Sequence, residues 1–147
     1  MNPAEMTGLQ IMQAFAAGKI PPPSISKTMP MTPVSVAFGE VVFEATADDR
    51  HINPLGGVHG GFAATVLDSV TGCATHTVLE AGVSYGTVDL NVKMVRPVPK
   101  NVTLIAQGRV INQSKRLVIS EGDIKGSDGK LYAHATCSCM VIYSSGE

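Results

Sequence analysis

A glycine-rich loop that leads into a helix, and one carboxylate within that helix, could together do chemistry on a carbonyl group. Gly60 and Gly61 stand where the helix should begin, and Asp68 follows eight positions after Gly60. The first backbone N–H groups of a helix lack intrahelical partners and carry partial positive charge. Glycine lets a ligand approach these amides closely. The pattern is therefore suited to an oxyanion hole, in which the donors stabilise charge that develops on a carbonyl oxygen.

Asp68 is unusual because its helix is otherwise apolar. The predicted helix covers residues 62–80 and is apolar on nearly every face, which is typical of a buried helix. Ala81 and Gly82 are expected to end it. A carboxylate in apolar surroundings is costly unless it is paired or hydrogen-bonded, so Asp68 is a candidate for chemistry.

The spacing of these residues predicts a site that two chains share. Eight helical positions separate Gly60 from Asp68 by roughly 12 Å along the axis. Within one helix the two cannot act on the same carbonyl, whereas a two-fold dimer with antiparallel helices would bring them together twice. Asn53, seven residues before Gly60, adds an amide that could hold a carbonyl or a water.

The elements around this helix predict an α+β fold. Apolar and polar residues alternate from Val34 to Ala45, with a turn or bulge at Gly39, and Asp128-Gly129 carries a hairpin signal. Four further strand-like segments follow the helix, at about 87–94, 102–109, 117–125 and 131–141. The order is a strand pair, one long helix and an antiparallel meander, so a single curved sheet should wrap the helix.

The first 33 residues are expected to form an N-terminal arm, and residues 34–147 the domain itself. Residues 5–18 could form a short helix that ends at Gly18. The run Pro21-Pro22-Pro23 then favours an extended linker. We expect the arm to pack at the periphery of the core.

Composition argues against several classes of partner. The net charge is −1 and the pI is near 6.4, which gives no basic footprint for nucleic acid. No apolar run has the length of a membrane span, and no signal pattern begins the chain. The three cysteines lack metal-ligand spacing, as do His51, His76 and His134. We therefore expect reduced thiols, no metal and a cytoplasmic location.

The segment from His59 to Asp68, with Asn53 before it and Thr87 to Asn91 after it, resembles the hotdog-fold acyl-CoA thioesterases. The nearest branch is that of the phenylacetic-acid-degradation and human-type enzymes. The resemblance covers about residues 34–143. It implies a hotdog fold, a homodimer that pairs into a dimer of dimers, and an acyl-CoA substrate with no separate cofactor. The acyl group would be aromatic or medium-chain.

The resemblance also implies roles for individual residues. Gly60 would polarise the thioester carbonyl through its backbone amide, in a loop that His59 and Gly61 shape. Asn53 of the same subunit would position the thioester or the water. Asp68 of the opposite subunit would be the nucleophile or general base, and Thr87 would help to orient the nucleophile or the water.

Two of the candidates also have plainer interpretations. The parity of Thr87 places it with Asp89 and Asn91, opposite Val88 and Leu90, as for an ordinary surface residue. Arg96 is a candidate for the CoA phosphates, although a solvated loop charge is the more ordinary role for it.

Two other functions remain open on the same fold. One is a hydratase or dehydratase that uses His51 or His59 with Asp49 or Asp68 as acid and base. The other is a non-catalytic acyl-CoA-binding protein. The spacing from the His-Gly-Gly segment to Asp68 resembles thioesterases more closely, and the presence of the carboxylate favours catalysis.

Overall fold

The computed structural model describes residues 2–144 as three α-helices and six strands. Two short 3-10 turns, Pro3–Glu5 and Asp49–His51, accompany them. The helices are α1 (Gly8–Ala16), α2 (Ile25–Thr28) and α3 (Gly60–His76). The strands are β1 (Met31–Ala37), β2 (Glu40–Thr46), β3 (Ser84–Met94), β4 (Thr103–Gln113), β5 (Leu117–Lys125) and β6 (Leu131–Ile142). One long helix with an antiparallel sheet confirms the α+β prediction.

The strands form one antiparallel sheet in the order β1-β2-β4-β5-β6-β3. Strands β4, β5 and β6 are the predicted meander, and the turn between β5 and β6 contains Gly129 at a φ of 83°. The meander prediction is wrong for β3, which crosses the sheet to pair with β6 at the far edge. As a result, β3 lies beside the helix that precedes it in the chain.

Helix α3 contacts every strand from β2 to β6, so the sheet wraps around it as expected. Its sheet-facing side chains, among them Val66, Leu67 and Val70, are fully buried. The backbones approach closely at Gly108 of β4, where a Cβ would lie 2.1 Å from the Val70 carbonyl oxygen. The core therefore depends on a position without a side chain as well as on apolar packing.

The sequence prediction of a helix buried on every side is wrong for one face of α3. Asp68 is exposed, and Thr65 and Ser69 are only partly buried. Helix α3 also ends at His76, four residues earlier than predicted.

The arm packs on the core but is less extended than its prolines suggested. Helix α1 begins with a capping box between Thr7 and Gln10 and buries Met12. The short helix α2 interrupts the predicted linker, and β1 begins at Met31, three residues before the expected strand start. Within residues 2–144 no helix has both the length and the apolar character needed to cross a membrane.

Candidate active site

The N-terminus of α3 leaves one backbone donor unused. The His59 side chain caps the helix, since its Nδ1 accepts the Gly61 N–H at 2.8 Å. The His59 carbonyl accepts the Phe62 N–H at 3.0 Å. The N–H of Gly60 donates to no atom of residues 2–144. A free amide at the positive end of a helix is the donor that an oxyanion requires.

His59 is fixed in one tautomer by these contacts. Because Nδ1 accepts a hydrogen bond, the ring proton of neutral His59 resides on Nε2. The His59 N–H also donates to the His51 carbonyl at 2.7 Å, which ties the loop to the 3-10 turn Asp49–His51. The expected loop-shaping function of His59 thus has a specific form, a side-chain cap beside the free Gly60 amide.

Asn53 organises the loop that leads to this cap. Its Oδ1 accepts the N–H groups of Leu55 and Gly57, at 2.9 and 3.1 Å. Its own backbone N–H donates to the Gly57 carbonyl at 2.8 Å. The Nδ2 group makes no hydrogen bond within residues 2–144, so its two donors remain available to a ligand. Asn53 is therefore a turn residue and a possible ligand donor at once.

Asp68 is held by Thr87 across the space between α3 and β3. The Thr87 hydroxyl donates to Asp68 Oδ1 at 2.9 Å, and both side chains are exposed. The parity assigned to Thr87 from the sequence is wrong, because a bulge at Val88 shifts the register between Thr87 and Asp89. Thr87 consequently pairs with the buried Cys139 and faces the helix. The hydroxyl orients the carboxylate, which keeps its second oxygen for other partners.

Cys73 lies one turn and a half beyond Asp68 on the same helix, and its thiol stays protonated. Burial raises its pKa to about 12, and the negative charge of Asp68 adds to the shift. A thiol with such a raised pKa is a poor nucleophile at neutral pH. Cys137 and Cys139 lie on one face of β6, with their sulfurs 3.6 Å apart. No disulfide forms among the three.

Two clefts flank the start of α3. We call the first the Arg96 cleft; it measures about 310 Å³ and includes His59, Gly60, Ala63, Met94 and Arg96 in its lining. The second, the arm cleft, measures about 340 Å³ and is lined by Met29, Arg50, His51, Ile52, His59, Gly61, Phe62 and Thr65. A larger cleft of about 640 Å³ is lined by arm residues alone and shares none with α3.

Arg96 is positioned without being neutralised. Its Nη1 donates to the Leu131 carbonyl at 2.6 Å, which anchors the side chain. It forms no salt bridge in the described part of the chain. A guanidinium with free donors beside the Gly60 amide is suited to bind an anionic group.

The histidine–carboxylate pairs considered for a hydratase are not assembled in this chain. His51 is buried, its Nδ1 accepts the Asp48 N–H, and its Nε2 donates to the Thr28 carbonyl at 2.6 Å. Asp49 is exposed and pairs with Lys100. The contact between His51 and the arm has no signal in the sequence, because no spacing rule relates His51 to Thr28.

Known thioesterases are similar to this chain in sequence. The sequence profile of the Thioesterase superfamily matches residues 55–133. Human acyl-coenzyme A thioesterase 13 is 31% identical over 104 residues, which is 70% of this chain and 74% of that protein.

Solved structures share the whole architecture. A phenylacetic-acid-degradation-related protein of Ralstonia eutropha is 30% identical, with a TM-score of 0.79 over 88% of this chain and 98% of its own. Zebra fish thioesterase superfamily member 2 is 25% identical, with a TM-score of 0.73 over 92% and 98%. With more than half of its length matched by the profile and this fold in common, the chain belongs to the Thioesterase superfamily and is a hotdog-fold thioesterase.

Proposed function

We propose that this enzyme hydrolyses acyl-CoA thioesters, with an aromatic or medium-chain acyl group, to the free acid and CoA. The observation that carries the proposal is the Gly60 N–H at the start of a 17-residue helix, which has no hydrogen-bond partner in the described part of the chain. An amide there stabilises the oxygen of a thioester carbonyl as negative charge develops on it. The name of the human relative, an acyl-coenzyme A thioesterase, supports CoA as the leaving group.

Asp68 is the reacting carboxylate in this proposal. As a general base it takes a proton from water, the water oxygen bonds to the acyl carbon, and the C–S bond breaks. The proton passes to the departing CoA sulfur. As a nucleophile, Asp68 would instead bond to the acyl carbon, release CoA and form an anhydride that water then cleaves. Turnover in heavy-oxygen water distinguishes the two, because only the anhydride route can place the label in Asp68 during a single turnover.

The site is proposed to lie between two copies of the chain. Gly60 and Asp68 belong to one continuous helix and are roughly 12 Å apart along its axis. The face of α3 that carries Asp68 is exposed at that residue, even though Thr87 of β3 contacts one carboxylate oxygen. A second α3 running antiparallel would cover that face and bring each Asp68 to the partner chain's Gly60 amide. Two such dimers would pair into a dimer of dimers.

The remaining candidates take supporting positions. Thr87 orients Asp68 through the 2.9 Å hydrogen bond, and His59 keeps the Gly60 amide at the helix start. Asn53 donates from Nδ2 to the thioester or the water. Arg96 lies beside Gly60 with unpaired donors, which suits the phosphates of CoA.

The proposed activity is tested with a panel of acyl-CoAs and a reagent that detects free thiol. The unaltered enzyme should release CoA, and Asp68→Asn should lower kcat by several orders of magnitude. Asp89→Asn is the matched control, since Asp89 is an exposed carboxylate of β3 two residues beyond Thr87. Unchanged turnover in Asp68→Asn would remove Asp68 from the mechanism, and no CoA release from any substrate would refute the proposal.

The shared site is tested by mixing two inactive variants. Asp68→Asn retains the Gly60 amide, whereas Gly60→Pro retains Asp68 and lacks the amide. A mixed dimer would contain one intact site if the two residues act across chains. Equal amounts allowed to exchange should therefore regain about a quarter of the unaltered activity, since about half of the dimers are mixed. A mixture as inactive as its components would place both residues in one chain.

A further inference from the structure

The arm cleft brings the N-terminal arm to the proposed reaction centre. Met29, which follows α2, lines it together with Phe62 and Thr65 of α3. Met29 is partly buried and packs against the main core. His59 and Gly61, the two neighbours of Gly60, lie in the same lining. A group attached to a carbonyl at the Gly60 amide therefore has a route toward the arm.

The arm is fastened where it forms this wall. Arg50 Nη1 donates to the Lys27 carbonyl at 2.9 Å, and His51 Nε2 donates to the Thr28 carbonyl at 2.6 Å. The Thr46 N–H donates to the Pro30 carbonyl at 3.1 Å. Hydrogen bonds to residues on both sides of Met29 hold the backbone of the arm in place where its side chain lines the cleft.

Apart from His59 Nε2, the polar side chains that line the arm cleft are paired within the protein. Both ring nitrogens of His51 are bonded, and the Thr65 hydroxyl donates to the Gly61 carbonyl at 2.8 Å. Arg50 makes a two-point contact with Asp48, at 2.9 and 2.8 Å. Met29, Ile52 and Phe62 supply apolar surface. With one neutral donor left at His59 and its other polar side chains paired, the cleft selects an apolar occupant, because a charged one would lose its hydration without compensation.

The Arg96 cleft offers an unneutralised positive charge to a ligand, unlike the arm cleft. It also lies on the opposite side of the start of α3. At 100° per residue, Gly60 and Ala63 face one side of α3, and Phe62 and Thr65 face the other. Arg96 has no carboxylate partner within residues 2–144, whereas Asp48 neutralises Arg50. His59 lines both clefts, so a thioester bound at Gly60 could extend into each of them.

We propose that the arm cleft receives the acyl group and that Met29 of the arm limits its length. The CoA portion would leave through the Arg96 cleft. This inference rests on the proposed acyl-CoA hydrolysis and adds to it the residue that sets substrate size. It assigns the arm, which lies outside the matched family region, a function in specificity.

The test is the dependence of kcat/KM on acyl length in Met29 variants, measured with straight-chain acyl-CoAs from butanoyl to dodecanoyl. One methylene in an apolar pocket changes discrimination about tenfold or more. Met29→Ala should therefore raise the ratio of kcat/KM for decanoyl-CoA to kcat/KM for butanoyl-CoA by about tenfold or more. Met29→Trp should lower this ratio by a similar factor. Ile52→Trp, which narrows the same cleft from its other wall, should also lower the ratio.

Met12→Ala is the matched control, because Met12 is a buried arm methionine outside the cleft. It should leave the length profile of the unaltered enzyme in place even if it lowers stability, which thermal melting would record for every variant. A Met29 or Ile52 profile identical to that of the unaltered enzyme, in protein that is folded, would refute the assignment while acyl-CoA hydrolysis stands. An unaltered enzyme that hydrolyses no acyl-CoA would instead refute the proposed function.

Discussion

Replacing Gly60 by proline removes the proposed oxyanion donor and adds side-chain atoms, for which an alanine variant is the control. Proline has no N–H, and the first position of a helix tolerates it because that N–H lacks an intrahelical partner. His59 has φ −62° and ψ 136°, the extended conformation that a residue before proline needs. The cap from His59 to Gly61 does not involve the Gly60 N–H and should persist.

The expected loss can be estimated from the donor's function. Removing one donor from an oxyanion hole lowers kcat by about 10² to 10³, which corresponds to about 2.7–4 kcal/mol of transition-state stabilisation. A structural defect alone would show as a lower melting temperature, whereas a lost donor lowers kcat in protein that melts normally. Steady-state release of CoA, measured beside thermal melting, separates the two effects.

Gly60→Ala is the control for the added side chain. A Cβ at this position would lie 2.7 Å from Met94 Sδ and 2.9 Å from Cε in either variant. These atoms are the end of a flexible side chain, so their displacement should cost less than about 1.4 kcal/mol, or tenfold in rate. Alanine retains the N–H and should keep most of the activity. Equal activity in the folded proline and alanine variants would refute the reasoning that the Gly60 amide stabilises the transition state.

Three further outcomes are expected. Thr87→Val should lower kcat about tenfold or more by removing a hydrogen bond to the Asp68 carboxylate, and Thr87→Ser should restore it; an unchanged kcat in the valine variant would contradict this. Gly108→Ala should lower the free energy of unfolding, measured in urea, by about 1–3 kcal/mol or more, because its Cβ would overlap the α3 backbone. Gly86→Ala is the control and should leave this free energy nearly unchanged, because its Cβ would meet only ordinary contacts. Burial holds the pKa of His76 below its ordinary value, so the free energy of unfolding should fall as the pH drops below about 6.5. The fall should be at most about 1.4 kcal/mol per pH unit, and less because solvent partly screens the ring. His76→Leu should lose less free energy of unfolding between about pH 7 and 5.5.

Local patterns in the sequence were sufficient to predict most of the elements. The glycines at 60 and 61 indicated where α3 begins, and Asp128-Gly129 indicated the turn between β5 and β6. Apolar alternation placed the strands within a few residues. These features depend on near neighbours, which a sequence displays directly.

Features set by distant contacts were not predicted. The end of α3 depends on Thr77, whose hydroxyl bonds the Ala74 carbonyl and accepts the Gly39 N–H from the turn between β1 and β2. The pairing of β3 with β6 depends on the order of all six strands. The exposure of Asp68 on α3 likewise depends on how the sheet packs around the helix. At the site, Asp68 and Gly60 were predicted from their types and spacing. The contact of Thr87 with Asp68 was hidden because a bulge position has no marker residue.

The irregularity at Val88 also determines how this chain should be aligned with its relatives. Upstream of it, the residues that face inward occupy one parity of the strand, and downstream they occupy the other. A relative without this bulge would have one residue fewer in the strand, and the alignment gap belongs opposite Val88. If the gap is placed at another position, Thr87 is matched to a residue that points away from the carboxylate. Comparisons of this position among homologues are therefore meaningful only after the strand has been aligned by its pairing with β6.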